Sequence, residues 1–150
     1  MRIVVQLVKQ ASVSVDEKVI SEIKKGYLIL LGIETEDTQE DINWLAGKIA
    51  RLRIFGDENA VMNKSIIDVN GDVIIVSQFT LQAKTKKGNR PSYIKAARPE
   101  IASVLYDNFI LQLENEIGKK IQTGKFGATM DVSLINEGPV TIFMDSKNKY

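Results

Sequence analysis

The chain contains no cysteine, no histidine, one tryptophan and three prolines among its 150 residues. Without cysteine there are no disulfides and no thiol nucleophile, which suits a reducing compartment. Without histidine the usual general base, the Ser-His and Cys-His pairs and the imidazole metal ligands all disappear. Chemistry must then rest on hydroxyls, carboxylates, lysines, backbone amides or the substrate itself. No apolar run approaches the roughly 18 residues of a membrane span, and Met1 to Gln6 lack a secretory leader's apolar stretch and cleavage site. A soluble, cytoplasmic protein is expected. Twenty basic and 19 acidic residues leave a formal charge of +1, which excludes a nucleic-acid coat that binds through overall charge. An RNA partner would have to be met by a local patch, and Lys84, Lys86, Lys87 and Arg90 form one.

The length fits one domain with a sizeable core, expected to span residues 1–150. Arg2 to Lys9, rich in Val and Ile, reads as a strand, and Ala11 to Val15 with Val19 to Ile23 reads as a hairpin around Asp16-Glu17-Lys18. The unbroken apolar run Tyr27 to Ile33 predicts a strand covered on both faces. Thr38 followed by Asp41 is similar to a capping box, and Ile42, Leu45, Ile49 and Leu52 recur at helical spacing, leaving Lys48 and Arg51 on the solvated face. Glu58 to Ser65 reads as irregular. Asn70-Gly71 between Ile66 to Val69 and Val73 to Val76 predicts a second hairpin.

Gln82 to Ser92 has no apolar period and reads as a polar loop. Pro99 suits the first turn of a second helix that ends near Gly118, with Ile101, Val104, Leu105, Phe109 and Leu113 as its apolar stripe and Tyr106 packing beside them. Ala128 to Ile135 and Val140 to Met144 predict two last strands. They are separated by a break at Gly138-Pro139, because proline cannot donate to a ladder. Residues beyond Asp145 read as frayed. The tally is about seven strands and two helices, an α+β pattern.

Two stretches carry more than secondary structure: Ser77-Gln78-Phe79-Thr80 at the end of the most apolar strand, and Asn136-Glu137-Gly138-Pro139-Val140 near the C-terminus. In that order, Ser-Gln-x-Thr and Asn-x-Gly-Pro-Val are the paired signature of the D-aminoacyl-tRNA deacylases, a family this chain resembles. The resemblance continues through Gln6, Ala11-Ser12-Val13, Arg53-Ile54-Phe55, Met62-Asn63, Arg90-Pro91-Ser92 and Thr123-Gly124-Lys125-Phe126 to Thr141. It departs at Leu7, where many members have arginine, and at Gly127, where alanine is frequent.

The resemblance implies an α+β fold of two-layer β-sheets with helices packed on one face. It implies hydrolysis of the ester joining a D-amino acid, or mischarged glycine, to tRNA, with L-aminoacyl-tRNA rejected and no metal or cofactor required. On the same basis Ser77, Gln78 and Thr80 are catalytic, while Phe79, Phe126, Met130, Asn136, Gly138 and Pro139 bind substrate. A cis Gly138-Pro139 from one subunit of a homodimer is expected to close the other subunit's pocket. Lys84, Lys86, Lys87 and Arg90 are expected to meet tRNA phosphates.

Read from the residues alone, Thr80 could attack an ester if a lysine or carboxylate activated it, with Gln78 donating to the oxyanion. The account implied by the resemblance relies instead on backbone amides around Ser77 to Thr80 and on the substrate's 2′-hydroxyl. A non-catalytic RNA-binding adaptor that keeps the pocket and basic loop is the alternative from another class.

Overall fold

A computed structural model describes all 150 residues. Its centre is β1 (Arg2–Val15), a single 14-residue strand where the sequence predicts two separate pieces. β1 pairs antiparallel with β3 (Gly26–Gly32) through Arg2 to Val8 and with β2 (Lys18–Ile23) through Ala11 to Val15. Asp16 and Glu17, both at positive φ, make the tight turn between β1 and β2. Along its other edge β1 pairs with β8 (Asp131–Asp145).

The register against β8 slips between Val8 and Gln10, and the slip changes which way β1 faces. Ile3, Val5 and Leu7 enter the core under the helices, whereas Val8, Ala11 and Val13 enter a second core. A bulge both re-aims alternate side chains and bends the strand, so one continuous sheet folds over into two layers.

The central strands serve both layers. Tyr27, Ile29 and Leu31 of β3 and Val73 and Ile75 of β6 (Asp72–Ser77) face the helices; Leu28, Ile74 and Val76 face the second layer. β3 and β6 run parallel, as do β6 and the short β7 (Gln122–Thr123). The helical face is covered by α1 (Gln39–Arg51) and α2 (Pro99–Ile117). This is the expected α+β arrangement, with both layers drawn from one curled sheet.

The two helices obey their sequence signals. Thr38 and Asp41 form the capping box of α1, with Asp41 Oδ2 accepting the Thr38 amide at 2.8 Å. Pro99 opens α2, and Gly118, in the left-handed conformation, ends it. The buried stripe of α2 differs from expectation: Ala102, Tyr106, Phe109 and Leu113 face inward, while Ile101 and Val104 are 44% and 57% exposed. Spacings of four, three and four residues select one face of the helix, and Ile101 and Val104 lie off it.

Three further corrections have physical causes. No hairpin forms at Asn70-Gly71. Asp68 Oδ2 instead accepts the Ser65 amide at 2.8 Å, and Val69, Asn70 and Gly71 donate back to Ser65, Ile67 and Ile66, winding the segment into turns that use up a hairpin's donors. Residues 58–65 are less irregular than expected, since β5 (Met62–Lys64) pairs with β4 (Phe55–Gly56) in a small ribbon. Ser146, just beyond Asp145, is buried rather than frayed. The Ser146 amide donates to Met1 O, its Oγ accepts the Met1 ammonium, and that ammonium also pairs with buried Asp37.

Candidate active site

β6 delivers Ser77 to the edge of the helical layer, and the chain then turns through a 3-10 segment, Phe79–Gln82. The Gln78 amide donates to Leu31 O at 2.7 Å, continuing the β3–β6 ladder one residue past the strand. A Cβ on Gly32 would stand 2.9 Å from Gln78 O and 2.7 Å from Leu81 Cβ, so only glycine lets the turn lie this close to the end of β3. Arg2 Nη1 donates to Leu81 O at 3.0 Å and braces the turn from the neighbouring strand. At the head of such a turn the first N–H groups, here those of Phe79 and Thr80, have no acceptor within the helix.

The turn forms one wall of a cleft of about 600 Å³. Ser77, Gln78 and Phe79 line it from the end of β6 and the turn after it; Phe126, Gly127, Ala128, Met130 and Val132 line it from the stretch leading into β8; Tyr93, Ala96, Ala97, Pro99 and Ala102 come from the start of α2 and the loop before it. Tyr106 fixes Phe126 in place. Its hydroxyl donates to Ile75 O at 2.8 Å, burial pushes its pKa far up, and its ring lies 5.6 Å from that of Phe126. Phe79, 57% exposed, meets Tyr93 edge-on at 5.1 Å and forms the aromatic rim.

No charged side chain lines this cleft. Thr80 stands beside it, with Oγ1 accepting a hydrogen bond from Gln78 Nε2 at 2.5 Å. The expected catalytic trio is therefore adjacent, but Thr80 is joined to an amide rather than to a base. Of the expected substrate-binding residues, Phe79, Phe126 and Met130 share the cleft with Ser77 and Gln78, whereas Asn136, Gly138 and Pro139 do not line it. Lys84, Lys86, Lys87 and Arg90 are exposed on a loop closed by reciprocal Lys84 and Ser92 backbone hydrogen bonds, next to Tyr93. Tyr93, Ala96, Ala97 and Ala102 went unremarked in the sequence, since a lone tyrosine in a loop and alanines at a helix start carry no periodic signal of a lining role.

The Gly-Pro stretch is not a break between strands. β8 runs through it, with Asn136 opposite Val8 and Thr141 opposite Gln6, so the intervening residues bulge out of the ladder. Asn136 Nδ2 closes the base of the bulge by donating to Leu7 O at 2.9 Å and Val140 O at 3.0 Å. Gly138 has φ +115°, the Gly138–Pro139 peptide bond is cis, and both residues are exposed. β8 has no partner on its outer edge, so the bulge projects from the rim of the sheet.

Comparison with known proteins agrees with this architecture. The family described as D-Tyr-tRNA(Tyr) deacylase matches residues 4–145. A D-aminoacyl-tRNA deacylase of Flavobacterium psychrophilum is 66% identical over 149 residues, and one of Bacteroides thetaiotaomicron is 60% identical, each match covering 99% of both chains. A solved structure titled c-Myc DNA Unwinding Element Binding Protein superposes with a TM-score of 0.90 at 43% identity, covering 97% of this chain and 98% of that one. On fold, cleft, paired motifs and these matches together, the chain belongs to the D-Tyr-tRNA(Tyr) deacylase family.

Proposed function

We propose that this chain is a cytoplasmic, single-domain D-aminoacyl-tRNA deacylase that works as a homodimer, hydrolysing the ester between a D-amino acid, or mischarged glycine, and tRNA. The observation that carries this reading is the separation of the two signature motifs. The Ser77 to Phe79 turn lines an uncharged cleft, and Gly138-Pro139 projects from an unpaired sheet edge without lining that cleft. A second copy, related by two-fold symmetry, supplies the missing wall.

An aminoacyl ester needs little activation, so a site without a general base suffices if it holds the carbonyl and stabilises the oxyanion. The amides of Phe79 and Thr80 and the Gln78 side chain are the donors for that charge. The substrate's 2′-hydroxyl, supplied with the terminal adenosine, assists the attacking water. The apolar lining excludes bulk water and strengthens each of these hydrogen bonds.

Chirality is enforced by exclusion. Pro139 fixes the backbone beside the substrate α-carbon and Gly138 lets main-chain atoms approach it. A hydrogen or a D-side chain directed away is accommodated; an L-side chain meets the wall. The two enantiomers offer the same groups, so a clash against one of them is the available means of discrimination. Matched D-, L- and glycyl-tRNA incubated with purified protein test this reading. Release of the D-amino acid and glycine with the L-ester intact is expected; equal release of D and L, or none, removes it.

A further inference from the structure

The C-terminal half of α1 carries a feature that the active site does not use. A second groove of about 480 Å³ lies along the helix, walled by Trp44, Lys48, Arg51 and Arg53. Lys48 Nζ lies 5.9 Å and Lys149 Nζ 4.9 Å from the centre of the Trp44 ring, so two ammonium groups approach one aromatic plane. Neither lysine has a carboxylate partner. Two carboxylates stand against its arginines: Glu116, 2.8 Å from Arg51 Nη2, and Asp68, which lies in the field of Arg53 but is held by Ser65. Four cations against two anions form a local excess in a chain of net charge +1. Gly47, inside the helix, adds no side chain, and Arg51 Nη1 folds back onto Gly47 O at 2.8 Å.

We propose that this groove is a second contact for the substrate, binding the phosphate backbone of the tRNA away from its aminoacylated end. The proposal rests on the deacylase reading. Lys48, Arg51 and Arg53 succeed one another along the end of α1, with Lys149 beside Lys48 at the Trp44 ring, an arrangement that suits successive phosphates better than a single small anion. The two sites are joined by α2. Ala102 lines the active-site cleft, and Glu116, which holds Arg51, stands fourteen residues further along the same helix, about 20 Å at 1.5 Å per residue. A terminal nucleoside in the cleft cannot span that distance, whereas a polynucleotide attached to it can. Since the 3′ end is already anchored, a weak phosphate contact here acts at high effective concentration.

The test compares wild type with a Lys48→Ala/Lys149→Ala variant, whose two ammonium groups make no side-chain hydrogen bond or ion pair that the fold requires. Binding of uncharged tRNA is measured over a range of salt, and deacylation is measured on D-aminoacyl-tRNA and on D-aminoacyl adenosine, which is too short to reach the groove. Loss of two phosphate contacts lowers the salt slope by about two, so that wild type loses about tenfold more affinity than the variant between roughly 50 and 200 mM salt. The expected kinetic result is a raised KM for the full tRNA with unchanged turnover of D-aminoacyl adenosine. Equal salt slopes overturn the proposal, as does an equal loss on both substrates. A wild type that binds tRNA with the expected contrast but releases no ester from either substrate keeps the groove and removes the deacylase reading, so the two failures are distinguishable.

Discussion

Thr80 is the residue whose role the structure narrows most. A threonine hydroxyl needs a base to become a nucleophile, and the group at its oxygen is Nε2 of Gln78, which donates to it and belongs to a neutral amide that is no base. The Tyr106 hydroxyl is no substitute, because burial holds it protonated and Ile75 O takes its hydrogen bond. Thr80→Ala is therefore expected to keep kcat for D-aminoacyl-tRNA within about tenfold of wild type, whereas losing a true nucleophile typically costs roughly 10⁴-fold or more. A folded Thr80→Ala protein with no measurable turnover, or an ester trapped on Thr80, would contradict the backbone-donor account.

At the scale of elements, the bulge in β8 links the two signature motifs to geometry. A Cβ at position 138 would stand 2.7 Å from Val140 Cγ2 and would sit on a backbone at φ +115°. Gly138→Ala should thus displace the tip and lower D-aminoacyl-tRNA turnover at least about tenfold, and because the clash is with buried Val140 it should also lower the melting temperature modestly. Asn136→Ala acts on the base of the same bulge. It removes both hydrogen bonds closing the loop and leaves two carbonyls to find other donors, a cost of about 1–3 kcal/mol visible in chemical denaturation.

Much of this element-level order is legible in the sequence where the cause is local. The capping box at Thr38 and Asp41, Pro99 and Gly118 at the ends of α2, and both signature motifs are written in neighbouring residues. What escapes is set by distant partners. The continuity of β1 depends on β8, more than a hundred residues away, and Asn70-Gly71 loses its hairpin because the Asp68 side chain captures Ser65. The cleft itself joins β6, the 93–102 stretch and the 126–132 stretch, which no single window contains.

For the whole molecule, the chain ends lock the sheet to α1. Lys147 Nζ meets Asp41 Oδ2 at 2.9 Å, and Arg2 Nε meets Asp145 Oδ2 at 2.9 Å. Burial alone would raise the Asp41 pKa, but hydrogen bonds from Ser146, Lys147 and the Thr38 backbone outweigh it and hold the carboxyl well below the usual carboxylate range. Burial at Asp145 is likewise outweighed, chiefly by Arg2. A depressed folded pKa contributes stability above the unfolded value, near about 4, that is lost as pH falls toward the folded one. Asp41→Asn should consequently lower the melting temperature at pH 7, with the difference from wild type shrinking below about pH 4. A difference that stays constant between pH 7 and pH 3 would mean that the carboxylate charge contributes nothing.

On the proposed reading each functional site is built from two subunits, and mixing subunits tests it. Ala96→Trp should fill the cleft of its own chain, and Gly138→Ala should damage the wall that, on that reading, the chain lends to its partner. Each homodimer should be strongly impaired on D-aminoacyl-tRNA. A purified mixed dimer should regain about half the wild-type activity, because under two-fold symmetry one site combines the intact cleft with the intact wall and the other combines both defects. Mixed dimers as impaired as the parents would place cleft and wall in the same chain and contradict the account.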